Sequence, residues 1–333
     1  MLVYEITPDT GLTRAERPDP TPGPGQVIVR VRAASLNYRD LMVVRGTYGN
    51  KTQRKVIPLS DGAGEVVAVG PGVTRFAVGD RVAAIFMQSW LSGPPRAEYS
   101  SSALGGALDG MLAEKVALHE DGLARLPDAL SFAQGATLPC AAVTAWNALF
   151  EGQRVAPGET VLVQGTGGVS IFALQLARAA GARVIVTSSS DAKLERARAM
   201  GAVATINYKS TPDWSEEVRR LTGGVGVDHV VEVGGAGTLD QSLQAVRVGG
   251  TVSVIGVLSG FGGPVKTVLL LQKSIQLRGI YVGSRAMFDA LNRALVAGAI
   301  EPVIDKVFSF DQAAEAYRHL ESAAHFGKVV IKL

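Results

Sequence analysis

The run from Val161 to Thr187 constrains the fold of this chain more than any other segment. Val161-Leu162-Val163-Gln164 is an apolar, largely β-branched entry into the turn Gly165-Thr166-Gly167-Gly168-Val169-Ser170. Apolar residues at helical spacing follow at Phe172, Leu174, Leu176 and Ala177, and a second strand-like run covers Val184–Thr187. Strand, tight glycine turn, helix and strand, in that order, is the setting in which a glycine-rich turn holds a dinucleotide. Gly165 permits the turn and Gly167 lets the backbone approach a pyrophosphate, with Thr166, Gly168 and Val169 in the same cradle. The N–H groups and the positive dipole end of the following helix then face the phosphates. The third glycine of the pattern is replaced by Ser170. A flexible strand-to-helix loop without a ligand is the other reading of these residues.

The alternation continues beyond this unit. Strands are expected at Val161–Gln164, Val184–Thr187, Ala204–Asn207, Val227–Val233, Thr251–Ile255 and Ile275–Val282. Helices lie between them, with Gly181, Gly201 and Gly223 as stops. Such alternation argues for a parallel, doubly wound sheet. The preceding part reads as all-β, with strands at Val27–Arg32, Gly64–Gly70 and Asp80–Ala84. Gln88–Gly110, rich in Ser, Gly and Pro, reads as a mobile loop. Ser131 and Gln134 form a capping box, and a further helix covers Ala142–Phe150. In the tail, a helix runs from Ser284 to near Gly298, an Asp311-capped helix reaches Leu320, and a strand covers Lys328–Leu333.

A length of 333 residues suits two domains, and 39 glycines with only 19% charged residues suit an α/β enzyme with buried parallel strands. The net charge is +3 with no basic run, which argues against a nucleic-acid partner. No apolar segment is long enough to span a bilayer, so no membrane partner is expected, and Met1–Glu5 does not open a signal peptide. A single cysteine excludes an internal disulfide framework and fits a reducing, cytoplasmic location.

Further segments carry a family resemblance. They are Pro22–Val27, Ala34-Ser35-Leu36-Asn37-Tyr38-Arg39-Asp40-Leu41, Asp61–Val66, Val69-Gly70 with Phe76, and Gly79-Asp80-Arg81-Val82. Together with the Gly165–Ser170 turn they resemble the medium-chain dehydrogenase/reductase superfamily over essentially the whole length. The resemblance implies a Rossmann doubly wound parallel sheet, residues 142–281, inserted into a GroES-like, β-barrel-type catalytic domain of residues 1–141 and 282–333. It places the active site in the cleft between the two, and implies a homodimer paired through the edge at Ser274–Ile280.

Zinc-dependent relatives carry a Cys where this chain has Asn37 and a His-Glu pair where it has Ser60-Asp61. Cys140 falls at a further zinc-ligand position, and the Gln88–Gly110 loop lacks the cysteines of a structural zinc lobe. One thiol with an Asn and a Ser is a poor zinc site, so no metal is expected. Without zinc to stabilise an alkoxide, the favoured substrates are those whose developing negative charge is spread out. Hydride added to a conjugated double bond yields an enolate that hydrogen-bond donors can hold, and quinones behave similarly.

Tyr48, in Arg45-Gly46-Thr47-Tyr48-Gly49, looks like the Gly-x-Tyr turn of zinc-independent enoyl reductases, whose tyrosine acts as proton donor. A substrate contact without proton transfer, and packing in the cleft wall, are the other readings of this residue. Asn37 orients substrate or the nicotinamide ribose, or else satisfies buried backbone, and Asp40 locks its loop.

The end of the second strand, Ser188-Ser189-Ser190, lacks the carboxylate that selects the ribose hydroxyls of NAD. Serine hydroxyls and Lys193 can take a 2′-phosphate instead, which favours NADPH, although Ser190 or Asp191 also suits a helix cap with Lys193 in solvent. By family position, Tyr208 flanks the adenosine phosphate and Thr144 lies beside the nicotinamide. Gly234, Ile255 and Gly256 line the cofactor, and Lys328 reaches the pyrophosphate. The expected activity is NADPH-dependent, zinc-independent hydride transfer to an enone, enoyl thioester or quinone. The alternatives are an alcohol or aldehyde dehydrogenase-like oxidoreductase and a non-catalytic NADPH-binding protein.

Overall fold

In the computed structural model, which describes residues 1–7, 11–48, 55–260 and 262–333, the chain forms two units: Met1–Val143 with Val282–Leu333, and Thr144–Tyr281.

The first unit is organised by one long strand, Gln26–Leu36, whose β-branched Val27, Ile28, Val29 and Val31 suit a pleated, buried surface. One edge of this strand pairs antiparallel with Asp61–Val69. The other edge takes Lys115–His119 along its first half and Lys328–Lys332 along its second. Ile304–Ser309 extends the sheet beyond the tail strand, and Arg81–Ala84 and Leu123–Arg125 extend it the other way. The register matters for chemistry. Ser35 lies opposite Asp61, and Leu36 lies opposite Val329. Asn37, Asp61 and Lys328 therefore meet at one end of the sheet. There the chain turns into a helix, Tyr38–Val44, that the all-β reading of this part did not foresee.

The second unit holds six strands paired in parallel, in the spatial order Ala204–Asn207, Arg183–Ser188, Thr160–Gln164, Val227–Glu232, Val246–Val254, Gln276–Gly279. The chain builds outward from Thr160–Gln164 and then restarts on its other side at Val227–Glu232. Ligands of open α/β sheets bind at the carboxyl ends of strands beside such a reversal. Val161, Leu162 and Val163 are fully buried, as a continuous apolar run between covered faces requires. Helix Gly168–Ala179 buries Ile171, Phe172, Leu174 and Leu176. The expected stops hold: Gly181, Gly201 and Gly223 have φ of +82°, +92° and +63°. Each donates its N–H to the arginine carbonyl three residues back.

Three expectations need correction. Asp311 does not cap the tail helix. It lies within the 3-10 turn Phe310–Gln312, whose preceding Ser309 is matched by Gln312, and the helix proper is Ala313–Glu321. Gln88–Gly110 contains the 3-10 helix Ala97–Ser102 and is anchored by buried Trp90, which stacks on Tyr99 at 5.9 Å between ring centres. The last strand of the second unit shrinks to Gln276–Gly279, an edge strand. Beside it in sequence, helix Thr267–Lys273 leaves Leu271 81% exposed and Val268 52% exposed. No helix among the described residues is long and apolar enough to cross a membrane.

Leu162 packs in one buried cluster with Ile185, Trp214 and Val230. Leu162→Ala should destabilise the protein by about 2–5 kcal/mol. Urea unfolding followed by tryptophan fluorescence reads this, and a loss below about 1 kcal/mol would contradict so complete a burial.

Candidate active site

The sheet end of the first unit gathers four buried charges. Arg39 is 7% exposed, Lys328 is 3% exposed, and Asp40 and Asp61 are not exposed at all. Arg39 lies 3.3 Å from Asp40, and Lys328 lies 3.8 Å from Asp61. Two cations and two carboxylates leave the cluster without net charge, which buried ions require. Asp40 opens the Tyr38–Val44 helix by accepting the Asn37 N–H at 2.8 Å, so its loop-locking role is borne out. Burial pushes the Asp40 carboxyl up to about 6, against the pull of Arg39 and of the Asn37 N–H. Arg39 also donates to the carbonyls of Leu104 and Gly105, at 2.9 Å and 3.3 Å.

Lys328 is the centre of the cluster. Its ammonium donates to the Leu36 carbonyl and to Asn37 Oδ1, both at 2.6 Å. These contacts, and the one with Asp61, lie within the first unit. Asp61 accepts the Ser60 hydroxyl at 2.7 Å and the Cys140 N–H at 3.2 Å. Desolvation, with the Asp61 carboxylate second, pushes the Cys140 thiol well up, so it stays protonated. Asn37 Nδ2 is buried and has no hydrogen-bond partner among the described residues.

This donor set does not fit a catalytic zinc. The metal wants several thiolate or imidazole ligands. Here an ammonium already lies against Asn37 and Asp61, the serine hydroxyl is committed to Asp61, and the chain has one thiol and no imidazole among these groups. Among the described residues no group of three or more His, Cys, Asp or Glu side chains could hold a metal ion.

Tyr48 lies half-buried over the Arg39 guanidinium, 4.8 Å from ring centre to Cζ, and Phe86 faces the same guanidinium at 5.0 Å. A cation held against aromatic faces is attracted by their negative quadrupole. Gly49 of the Gly-x-Tyr segment lies outside the described residues.

In the second unit the turn after Thr160–Gln164 has the shape a pyrophosphate needs. Gly165 has φ +70°, and a Cβ there would meet nothing nearer than 3.9 Å, so glycine is required by backbone angle rather than by crowding. Helix Gly168–Ala179 opens at Gly167 with no side-chain cap, which leaves its first N–H groups for an anion. Ser170, in place of the third glycine, donates its hydroxyl to the Gln164 carbonyl at 2.6 Å. The residues present therefore fit a dinucleotide.

The other expected residues line neighbouring strand ends. Ser188 ends its strand, and its carbonyl accepts the Tyr208 N–H at 3.1 Å. Ser189 precedes the helix Asp191–Ala199, whose first turn carries Lys193. Asp191 receives the Asn207 amide at 2.7 Å, so this carboxylate is engaged away from the strand end. A Cβ at Gly256 would lie 1.9 Å from the Val233 carbonyl, and one at Gly235 would lie 2.9 Å from the Gly256 carbonyl. The strand ends at Gly234 and Ile255-Gly256 are thus in contact. Thr144, buried in helix Val143–Phe150, is joined to this group by no hydrogen bond among the described residues.

Two features escaped sequence reading. Arg39 follows an exposed tyrosine, and its place beside Asp40 was the only signal of its burial. Glu232 is fully buried and accepts from Gly234 N at 2.7 Å, Gly235 N at 2.9 Å, Thr238 Oγ1 at 2.6 Å and Gln164 Nε2 at 2.7 Å, with Ser242 as a further donor. It fixes the loop after its strand to the turn after Thr160–Gln164. An acid ending an apolar strand, Val227–Glu232, was the available signal.

Comparison with known proteins agrees with both units. Residues 23–128 match the family model for the alcohol dehydrogenase GroES-like domain, and residues 168–297 match the model described as zinc-binding dehydrogenase. The chain is 49% identical over 316 residues to a zinc-type alcohol dehydrogenase-like protein of Schizosaccharomyces pombe, covering 93% of this chain and 91% of the relative. It is 30% identical over 320 residues to the quinone oxidoreductase of Rattus norvegicus, covering 94% of this chain and 91% of the relative. A mycobacterial protein solved in complex with NADPH superimposes with a TM-score of 0.84 at 28% identity over the full length of both chains. With its GroES-like fold, its parallel Rossmann sheet and relatives of this identity and coverage, the chain belongs to the medium-chain dehydrogenase/reductase superfamily of oxidoreductases.

Proposed function

We propose that this protein is an NADPH-dependent, zinc-independent reductase of activated double bonds or quinones. The observation that carries the reading is the Asn37 amide, whose Nδ2 is buried without a partner among the described residues, at the sheet end where Lys328 supplies positive charge. A buried donor without an acceptor costs about 1–3 kcal/mol. A substrate oxygen that takes this donor recovers that cost, and recovers most when the oxygen is most negative.

When bound, NADPH supplies the hydride. Gly165, Thr166, Gly167, Gly168 and Val169 hold its pyrophosphate at the helix N-terminus, and Ser188, Ser189 and Lys193 select the 2′-phosphate. Tyr208 flanks the adenosine, while Thr144, Gly234, Ile255 and Gly256 border the rest. The NADPH complex of the mycobacterial neighbour supports this assignment. On the substrate, hydride arrives at the β-carbon and the double-bond electrons move to the carbonyl oxygen. Asn37 Nδ2 donates a hydrogen bond to that oxygen, and Tyr48 delivers the proton that completes the α-carbon. The quinone oxidoreductase relative supports quinones as a second acceptor class. Alcohol oxidation concentrates the developing charge on one oxygen, for which an amide donor is a weaker partner than zinc, whereas an enolate spreads that charge.

The exposed edge strand Gln276–Gly279 and the exposed Leu271 and Val268 support a homodimer through this face. Light scattering at micromolar concentration should give twice the chain mass; a monomer would contradict the pairing.

Tyr48→Phe keeps the ring over Arg39 and should leave NADPH affinity unchanged. Turnover on crotonyl-CoA or 2-hexenal should fall by about 10²–10⁴-fold. Reduction of 1,4-benzoquinone should fall less, because its oxygens take protons from water. Unchanged rates on both classes would make Tyr48 a wall residue. Wild-type protein that reduces none of the three acceptors with NADPH would overturn the reductase reading itself.

A further inference from the structure

We infer that Lys328 is a positioning residue that fixes which end of the Asn37 amide faces the substrate. The inference rests on the reading of Asn37 as the donor to the substrate oxygen, and it adds what makes Asn37 a donor.

A side-chain amide is nearly symmetric in shape, and its oxygen and nitrogen exchange places by a half-turn of the terminal torsion. Neighbours decide which end points where. An ammonium carries three donors and no acceptor. Lys328 Nζ lies 2.6 Å from the Asn37 side chain, so the atom facing it must be Oδ1. Nδ2 is then turned away from Lys328 as a donor. The reversed amide would set an N–H against an ammonium and present an acceptor to the substrate, which a negative oxygen would avoid.

The lysine is itself fixed. It begins the strand Lys328–Lys332, and the next residue, Val329, is in register with Leu36. Its ammonium also donates to the Leu36 carbonyl at 2.6 Å and lies 3.8 Å from Asp61. Asp61 is tied to Ser60 Oγ and to Cys140 N. At 3% exposure Lys328 has little freedom to leave this place. The sheet register, the Asp61 charge and the lysine together hold one orientation of one amide.

The test uses Asn37→Asp, Lys328→Met and the double variant. Asn37→Asp retains the size of the side chain and an oxygen for Lys328 but removes the N–H donor. Lys328→Met retains length and removes the ammonium. NADPH affinity is measured by fluorescence titration, and kcat and KM with 2-hexenal at saturating NADPH. Each single variant should lower kcat by about 10²–10³-fold, on the scale of losing one preorganised donor to a transition-state oxyanion. NADPH affinity should stay within a factor of about two, and the double variant should be no slower than the slower single variant, because both act through one hydrogen bond. Lys328→Arg should recover much of the loss. Lys328→Gln, which can still donate to the Leu36 carbonyl, gives the same test if Lys328→Met does not fold. Weakened NADPH binding with unchanged kcat in Lys328→Met would assign the lysine to the cofactor instead, and losses that multiply in the double variant would separate the two residues. An unmoved kcat in Asn37→Asp removes the donor reading; a loss in Asn37→Asp without one in Lys328→Met removes only the role of Lys328.

Discussion

The first unit depends on the mutual compensation of two cations and two carboxylates at the end of its sheet. Arg39, Asp40, Asp61 and Lys328 come from three separated segments of chain, and none of them reaches bulk water freely. Removing one partner of such a set leaves a buried charge uncompensated, which is far more costly than never having buried the set. The cluster thus ties the strand register at Leu36 and Val329 to the start of helix Tyr38–Val44 and to the Ser60-Asp61 segment. The local field and the direction of the Asn37 amide follow from that tie.

The second unit solves a similar problem with a single acid. Among the described residues no cation hydrogen-bonds Glu232, which is held instead by backbone N–H groups, hydroxyls and the Gln164 amide. Several donors on one carboxylate fix its position as an ion pair would. Because Gln164 ends the strand before the glycine turn, the same network holds the turn and the Gly234-Gly235 loop in one geometry. A rigid pair of strand ends at the reversal of strand order is what a dinucleotide-binding edge requires.

The parallel sheet was legible because its signals are local: apolar runs at Val161–Val163 and Val184–Val186, and glycines that must take positive φ at the helix stops. The edge strand was overread at Ile275–Val282 because a short apolar run does not say how much of itself finds a partner. Helix Tyr38–Val44 was missed since Asn37 and Asp40 look like loop residues until the Asn37 N–H is seen on the Asp40 carboxylate. Gln88–Gly110 was read from its small polar residues, while buried Trp90 and Leu104 anchor it. The destination of Lys328 was not legible at all. By family position the lysine was expected at the pyrophosphate, and only the pairing of Val329 with Leu36, residues nearly a chain length apart, brings it onto Asn37.

Together these features describe a site whose positive charge is built into the chain. A lysine ammonium is fixed by covalent attachment and sheet register, whereas a metal must be supplied and can be removed. The most direct measurement is elemental analysis of the protein purified without chelators, paired with its NADPH-dependent reductase activity before and after exposure to EDTA. The account predicts no stoichiometric zinc and unchanged activity. One tightly bound zinc per chain, lost together with activity on chelation, would contradict it.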